Sequence, residues 1–296
     1  MPPRIAIPLP HSADHDYCRR ALPQYEHAVE AAGGVPVPIP FDHAESAKLV
    51  STCDAILLPG SNADVDPAKF GAAPSPHTAP ADSARDALDF FLLDDAFTHR
   101  KPILGICFGL QSLNVYRGGS LIQHIPDFLP GALRSRVNHE AGRSVPVAHT
   151  VEVGANSVLA RVLCGNSRPR PSSQAQPGGV FSARKFDASP EPGRTREGHG
   201  FSRAETHRKK TGASAPEGGN LVLPVNSSHH QSAEKIGSGL RVVARCPDDN
   251  IIEAVEGTDP DHFVIAVQWH PERSVDEDPA SRAIFGALIK AVNQKE

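Results

Sequence analysis

The stretch Lys101-Pro102-Ile103-Leu104-Gly105-Ile106-Cys107-Phe108-Gly109-Leu110-Gln111 constrains this chain most. A short apolar run ends in Gly-Ile-Cys-Phe-Gly and passes at once into a helical pattern, the form of a turn that raises a nucleophile between a strand and a helix. Such a turn strains its central residue, and the residues two before and two after must lack bulk for it to close; Gly105 and Gly109 stand there. Residues 108–117 are expected to start a helix whose free N–H groups and positive dipole end lower the Cys107 thiol pKa toward the reactive thiolate. The plain alternative is a buried cysteine closing a core strand.

Around this turn the pattern alternates between strands and helices. Residues 4–9, 35–40 and 54–59 read as strands. Residues 19–32 read as a helix stopped by Gly33-Gly34, with Pro23 near its first turn, 44–51 as a short helix, and 82–99 as a helix with Leu88, Phe91, Leu92 and Ala96 on one face. This alternation predicts an α/β fold with an open, mostly parallel sheet covered by helices on both faces. Further on, 121–125 reads as a short extended run and 126–142 as loop; 149–153, 220–225, 240–245, 251–256 and 263–268 read as strands, and 157–163 and 280–292 as helices. The later strands predict a small antiparallel region in the C-terminal half.

Between them, residues 165–219 show no apolar period. Of these 55 residues 22 are Gly, Pro or Ser, with ten Lys/Arg against five Asp/Glu, a composition that cannot bury enough apolar surface to offset its ordering entropy. A disordered basic insertion within a single domain, 1–296, is expected. The net charge of −4 gives no nucleic-acid footprint. The N-terminus lacks the apolar core of a signal peptide and no segment approaches a membrane span, which predicts a cytoplasmic protein. Cys18, Cys53, Cys107, Cys164 and Cys246 are odd in number and widely spaced, arguing against a disulfide framework or a zinc site. Nothing points to a metal or organic cofactor. A homo-oligomer is compatible with the sequence.

A thiol attacking an acyl or amide carbon needs a base, and a third group to orient that base. His270 and Glu272 are two apart in Trp269-His270-Pro271-Glu272, read as extended, so their side chains are expected on one side of the backbone, with Glu272 accepting from one imidazole nitrogen while the other faces Cys107. The loop Pro59-Gly60-Ser61 empties from the end of a strand, where open α/β sheets bind ligands, and it reads either as an ordinary turn or as a source of backbone N–H groups.

Together, Gly105-Ile106-Cys107-Phe108-Gly109-Leu110-Gln111, Pro59-Gly60-Ser61 and Gln268-Trp269-His270-Pro271-Glu272 resemble the class I glutamine amidotransferase-like superfamily, which implies a flavodoxin-like sheet. Asp64-Val65-Asp66-Pro67 with Phe70-Gly71, Asp82 to Asp86, Gly118 to Leu121, and Val225-Asn226-Ser227-Ser228-His229-His230-Gln231 are similar to the gamma-glutamyl-gamma-aminobutyrate hydrolase family. The resemblance covers the chain outside 165–219. It implies hydrolysis of a small-molecule gamma-glutamyl amide through a thioester on Cys107, in polyamine or related amine catabolism. His270 would be the base, Glu272 its orienting group, and the backbone N–H groups of Phe108 and of Gly60 or Ser61 the oxyanion hole. It also implies that Gln111, Ser228 and His229 grip the glutamyl head, although His229, like His230, also reads as a plain loop histidine. Phe108 departs from the Arg common after the cysteine in that hydrolase. The alternatives are a glutaminase or amidotransferase subunit passing ammonia to a partner synthase, and a non-catalytic binding protein on the same fold.

Overall fold

The computed structural model of the protein describes residues 1–165 and 220–294. Strands β1 (Arg4–Pro8), β2 (Val35–Ile39), β3 (Ala55–Leu58) and β4 (Ile103–Ile106) alternate with helices α1 (His15–Ala31), α2 (His43–Val50) and α3 (Ser83–Thr98), and α4 (Phe108–Tyr116) follows β4 directly. Next come β5 (Leu121–Ile122), α5 (Ile125–Phe128), β6 (His149–Val153), α6 (Val158–Leu163) and β7 (Leu221–Val225). The chain then runs through β8 (Ser232–Ala233), β9 (Leu240–Arg245), β10 (Ile252–Gly257), β11 (Val264–Val267) and α7 (Pro279–Asn293). The expected insertion at 165–219 lies, apart from Gly165, outside the described residues. No helix among those described is long and apolar enough to cross a membrane.

Nine strands form one sheet in the order β2-β1-β3-β4-β11-β10-β9-β6-β7. The first five run parallel, in the order of a flavodoxin-like sheet. Antiparallel pairings through β10, β9, β6 and β7 extend it, all in the C-terminal half. Strands β3, β4 and β11 are buried at every residue, because helices cover both faces; that is why they read as unbroken apolar runs. Ile5 and Ile7 face one core with Tyr25, Val29, Phe285 and Leu288, whereas Ala6 faces the other with Leu88, Leu92, Leu110 and Leu113. The two-residue period of a strand thus places α1 and α7 on one side and α3 and α4 on the other.

Helix α1 starts four residues before its expected position. Asp14 caps it by accepting the Tyr17 N–H at 2.8 Å, an interaction of about 1 kcal/mol. Pro23 therefore lies inside the helix rather than near its first turn, and burial of Ala21, Tyr25, Ala28 and Val29 offsets the backbone donor it removes.

The turn from β4 into α4 is as tight as its glycines imply. Cys107 has φ 53° and ψ −105°, outside the region that L residues favour. It is held there by its N–H donating to the Val267 carbonyl at 2.8 Å and its carbonyl accepting from the Leu110 and Gln111 N–H groups. A Cβ on Gly109 would lie 2.2 Å from the Leu58 carbonyl oxygen, and one on Gly105 would lie 2.9 Å from the Gly109 carbonyl oxygen and 3.0 Å from the Ala266 Cβ. Only glycine lets α4 start this close to β3.

Candidate active site

Three neighbouring strands end at one place. Leu58 of β3 lies opposite Gly105 of β4, and Ile106 opposite Val267 of β11, so the residues just beyond, Gly60, Cys107 and the run 268–270, converge on one edge of the sheet. Strands at about 4.8 Å spacing bring them within reach. A Cβ on Gly60 would lie 3.0 Å from His270 Cε1, 3.0 Å from the Tyr25 hydroxyl and 3.6 Å from Cys107 Cβ. Gly60 therefore sits between the histidine and the cysteine with no room for a side chain.

His270 Nδ1 and Glu272 Oε1 are 2.8 Å apart. The geometry differs from the extended stretch expected: Pro271–Arg273 form a 3₁₀ turn. The turn brings the carboxylate under the ring where a strand would have carried it further along, because Pro271 suits the first position of a helical turn. Asn226 fixes the histidine backbone from both sides, its Oδ1 accepting the His270 N–H at 2.9 Å and its Nδ2 donating to the His270 carbonyl at 2.8 Å. His270 Nε2 is buried and has no hydrogen-bond partner among the described residues. A thiol–imidazole hydrogen bond is thus not formed here, as is common before substrate closes a site.

Burial dominates the electrostatics. It pushes the Cys107 thiol up to about 12, against the Arg273 guanidinium and the Phe108 N–H, which both act to lower it. The helix end alone does not produce a thiolate, contrary to expectation, because desolvating the charged sulfur outweighs the dipole. Burial also lowers His270, against the Glu272 charge. Glu272, penalised by its own burial, is nevertheless held below the usual carboxylate range by His270. Burial thus favours the neutral thiol and the neutral imidazole, while His270 favours the charged form of Glu272.

The other expected contributors fall into two groups. Phe108 buries its ring among Val65, Val115 and Leu121, beneath the Arg85 guanidinium at 4.9 Å, leaving its backbone N–H toward the thiol. The Gly60 N–H donates to the Tyr25 hydroxyl at 2.9 Å, so using it for an oxyanion requires that hydroxyl to give way. Ser61 accepts the Ala63 N–H on its hydroxyl. Gln111 is buried on α4 and donates to the Gln231 carbonyl at 3.1 Å and to Gln268 Oε1 at 3.4 Å. Ser228 accepts from Arg273 Nη1 at 2.8 Å. His229 is buried with Nδ1 2.9 Å from the Gln231 carbonyl and Nε2 3.6 Å from Glu253 Oε1. His230 is not a plain loop residue, for its Nε2 is 3.0 Å from Asp64 Oδ1, tying the 226–231 segment to the loop after β3.

Tyr25 and Arg273 escaped the sequence reading, which gives Asn226 only as part of the Val225 to Gln231 motif, with no role of its own. Asn226 lies in that motif and Arg273 follows Glu272, yet nothing in their spacing tells which backbone or hydroxyl group they hold. Tyr25 lies on a helix far from every motif and reaches Gly60 only because α1 packs across the sheet.

A family model described as peptidase C26 matches residues 7–174 and 200–272. The chain belongs to the peptidase C26 family. The gamma-glutamyl-gamma-aminobutyrate hydrolase PuuD of Escherichia coli K12 is 31% identical over 271 residues, which span 90% of this chain and 84% of that protein. A glutamine amidotransferase-like protein of Rickettsia prowazekii is 29% identical over 273 residues, spanning 90% and 87%. These matches bear out the family and superfamily expected from the motifs. Among solved structures, a GMP synthase subunit of Thermoplasma acidophilum superposes with TM-score 0.54 at 14% identity, covering 100% of this chain and 99% of that one. At that identity the likeness concerns the fold, which is the flavodoxin-like one anticipated.

Proposed function

We propose that this peptidase C26 protein hydrolyses gamma-glutamyl amides through a thioester on Cys107. The observation that carries this reading is the pairing of His270 Nδ1 with Glu272, which leaves a buried Nε2, unpartnered among the described residues, beside the strained Cys107 turn. Nε2 takes the thiol proton as sulfur attacks the gamma carbonyl carbon, and Glu272 stabilises the imidazolium that forms. The oxyanion is met by the Phe108 N–H and an N–H of the Gly60-Ser61 loop. The imidazolium then protonates the leaving amine as the C–N bond breaks. Water, deprotonated by the same nitrogen, cleaves the thioester and releases glutamate. Gln111, together with the Ser228 hydroxyl and its Arg273 partner, supplies groups suited to the amino and carboxylate ends of the glutamyl head, Arg273 being the cation best suited to a carboxylate.

Purified protein is expected to release glutamate faster from gamma-glutamyl-gamma-aminobutyrate than from glutamine. Slow release from the gamma-glutamyl amine, with ammonia release from glutamine that rises when a synthase is added, would support the amidotransferase reading instead.

The pH profile tests the charge state. Because burial lowers His270, its base form persists below the ordinary imidazole value of about 6.5. The kcat/KM profile is expected to rise through an apparent pKa below 6.5 and to stay level through pH 8–9, with pH values set by the ordinary pKa ranges. An alkaline limb in that range would instead indicate a preformed thiolate–imidazolium pair, active only while the imidazole is protonated.

A further inference from the structure

We propose that His139, His149, His229 and Glu253 form a closed, four-ligand site for one divalent transition-metal ion of the zinc type, built from residues other than Cys107, His270 and Glu272. His139 lies on the loop between α5 and β6, His149 opens β6, His229 follows β7, and Glu253 lies in β10. All four are buried, from 8% exposed at His149 to 0% at Glu253. Glu253 Oε1 is 3.2 Å from His139 Nδ1 and 3.6 Å from both His149 Nε2 and His229 Nε2. The four donor atoms lie within 4.8 Å of one another. Zinc bonds of about 2.0–2.1 Å in a tetrahedron put ligand atoms roughly 3.3–3.4 Å apart, close to the separations from Glu253.

The hydrogen bonding points the same way. The three inward nitrogens and both Glu253 oxygens have no hydrogen-bond partner among the described residues, an arrangement that is costly for buried polar atoms. Each outward nitrogen, by contrast, is engaged: His139 Nε2 with Asp249 Oδ2 at 2.8 Å, His149 Nδ1 with the Thr150 carbonyl at 3.2 Å, and His229 Nδ1 with the Gln231 carbonyl at 2.9 Å. An acceptor at each outward nitrogen calls for the N–H there and puts the lone pair inward, which is how metal-bound histidines are oriented. With each ring in that tautomer, three lone pairs would confront a carboxylate. A proton on one ring answers one of these three contacts, whereas a dication engages all four donor atoms. Three imidazoles and a carboxylate without thiolate suit zinc and disfavour calcium or magnesium, which take oxygen ligands. With four protein ligands the site is a structural staple that ties the His139 and His229 loops to the sheet, and His229 is then not available to the glutamyl head.

The test uses full-length protein without a polyhistidine tag, stripped with chelator and titrated with Zn²⁺ and, separately, Co²⁺. One Zn²⁺ ion per chain is expected, with a higher unfolding temperature, and Co²⁺ is expected to give the intense visible bands of a tetrahedral site without thiolate charge transfer. His149→Ala is expected to weaken binding about tenfold or more, whereas His270→Ala retains the ion. No binding at stoichiometric Zn²⁺, a thiolate band placing the ion at Cys107 or Cys246, or unchanged affinity in His149→Ala would overturn the proposal. If His149→Ala does not fold, the Co²⁺ spectrum of the wild-type chain decides.

Discussion

Replacing Cys107 with alanine is expected to lower gamma-glutamyl amide hydrolysis by about 10⁴-fold or more, the scale of nucleophile loss in enzymes whose catalytic residues act as a unit. Removing the sulfur deletes the atom proposed to form the acyl bond, while the side chain's loss leaves the turn itself intact: the Cys107 N–H still donates to Val267 and its carbonyl still receives Leu110 and Gln111. Stability is therefore expected to change little. A positive φ at 107 is no easier for cysteine than for alanine, so the substitution adds no new strain. Measured glutamate release and a denaturant midpoint separate the two effects. Mass spectrometry of quenched wild-type protein is expected to show a glutamyl adduct that the variant lacks. Activity within tenfold of wild type would sink the thioester mechanism.

The second large effect is expected at Arg85, which is fully buried on α3. Its guanidinium pairs with Asp89 at 2.7 Å and donates to the carbonyls of Pro10 at 2.9 Å and Pro59 at 2.7 Å. It thereby holds the loops after β1 and β3, the latter leading straight to Gly60. Burial pushes the Asp89 carboxyl up while Arg85 opposes that. Arg85→Met is expected to cost about 3–5 kcal/mol, because it strips a buried carboxylate of its cation and two carbonyls of the guanidinium donor. The double variant Arg85→Met/Asp89→Leu is expected to recover part of the loss, since a buried ion pair replaced by apolar groups is far less costly than half of one. Urea unfolding of the wild type and both variants measures this. A single-variant loss under about 1 kcal/mol would show that the Arg85–Asp89 pair does not hold these loops.

The corrections share a physical cause. The sequence reading placed α1 late because its first residues, His15 and Asp16, carry no apolar period, and an Asp14 cap leaves no mark on hydrophobic periodicity. It read 270–272 as extended because Pro271 suits both an extended chain and the opening of a helical turn. It expected a low thiol pKa from the helix end alone, whereas the extent of burial around Cys107 is set by residues distant in the chain. The cluster of His139, His149, His229 and Glu253 carries no ligand spacing that a linear reading detects, since β6, β10 and two loops supply its members.

By itself the sequence determined the alternation that makes a parallel sheet and the Gly-x-Cys-x-Gly turn, and it singled out Cys107, His270 and Glu272 as candidates. These are local properties: apolar runs bury, and only glycine tolerates a carbonyl 2.2 Å from where its Cβ would be. The tertiary structure alone decided which groups face one another: Tyr25 on Gly60, Asn226 on both sides of the His270 backbone, Arg273 on Ser228, and three imidazoles on Glu253. Such pairings depend on strand order and on how helices cross the sheet, and strand order is set by packing between segments far apart in the chain.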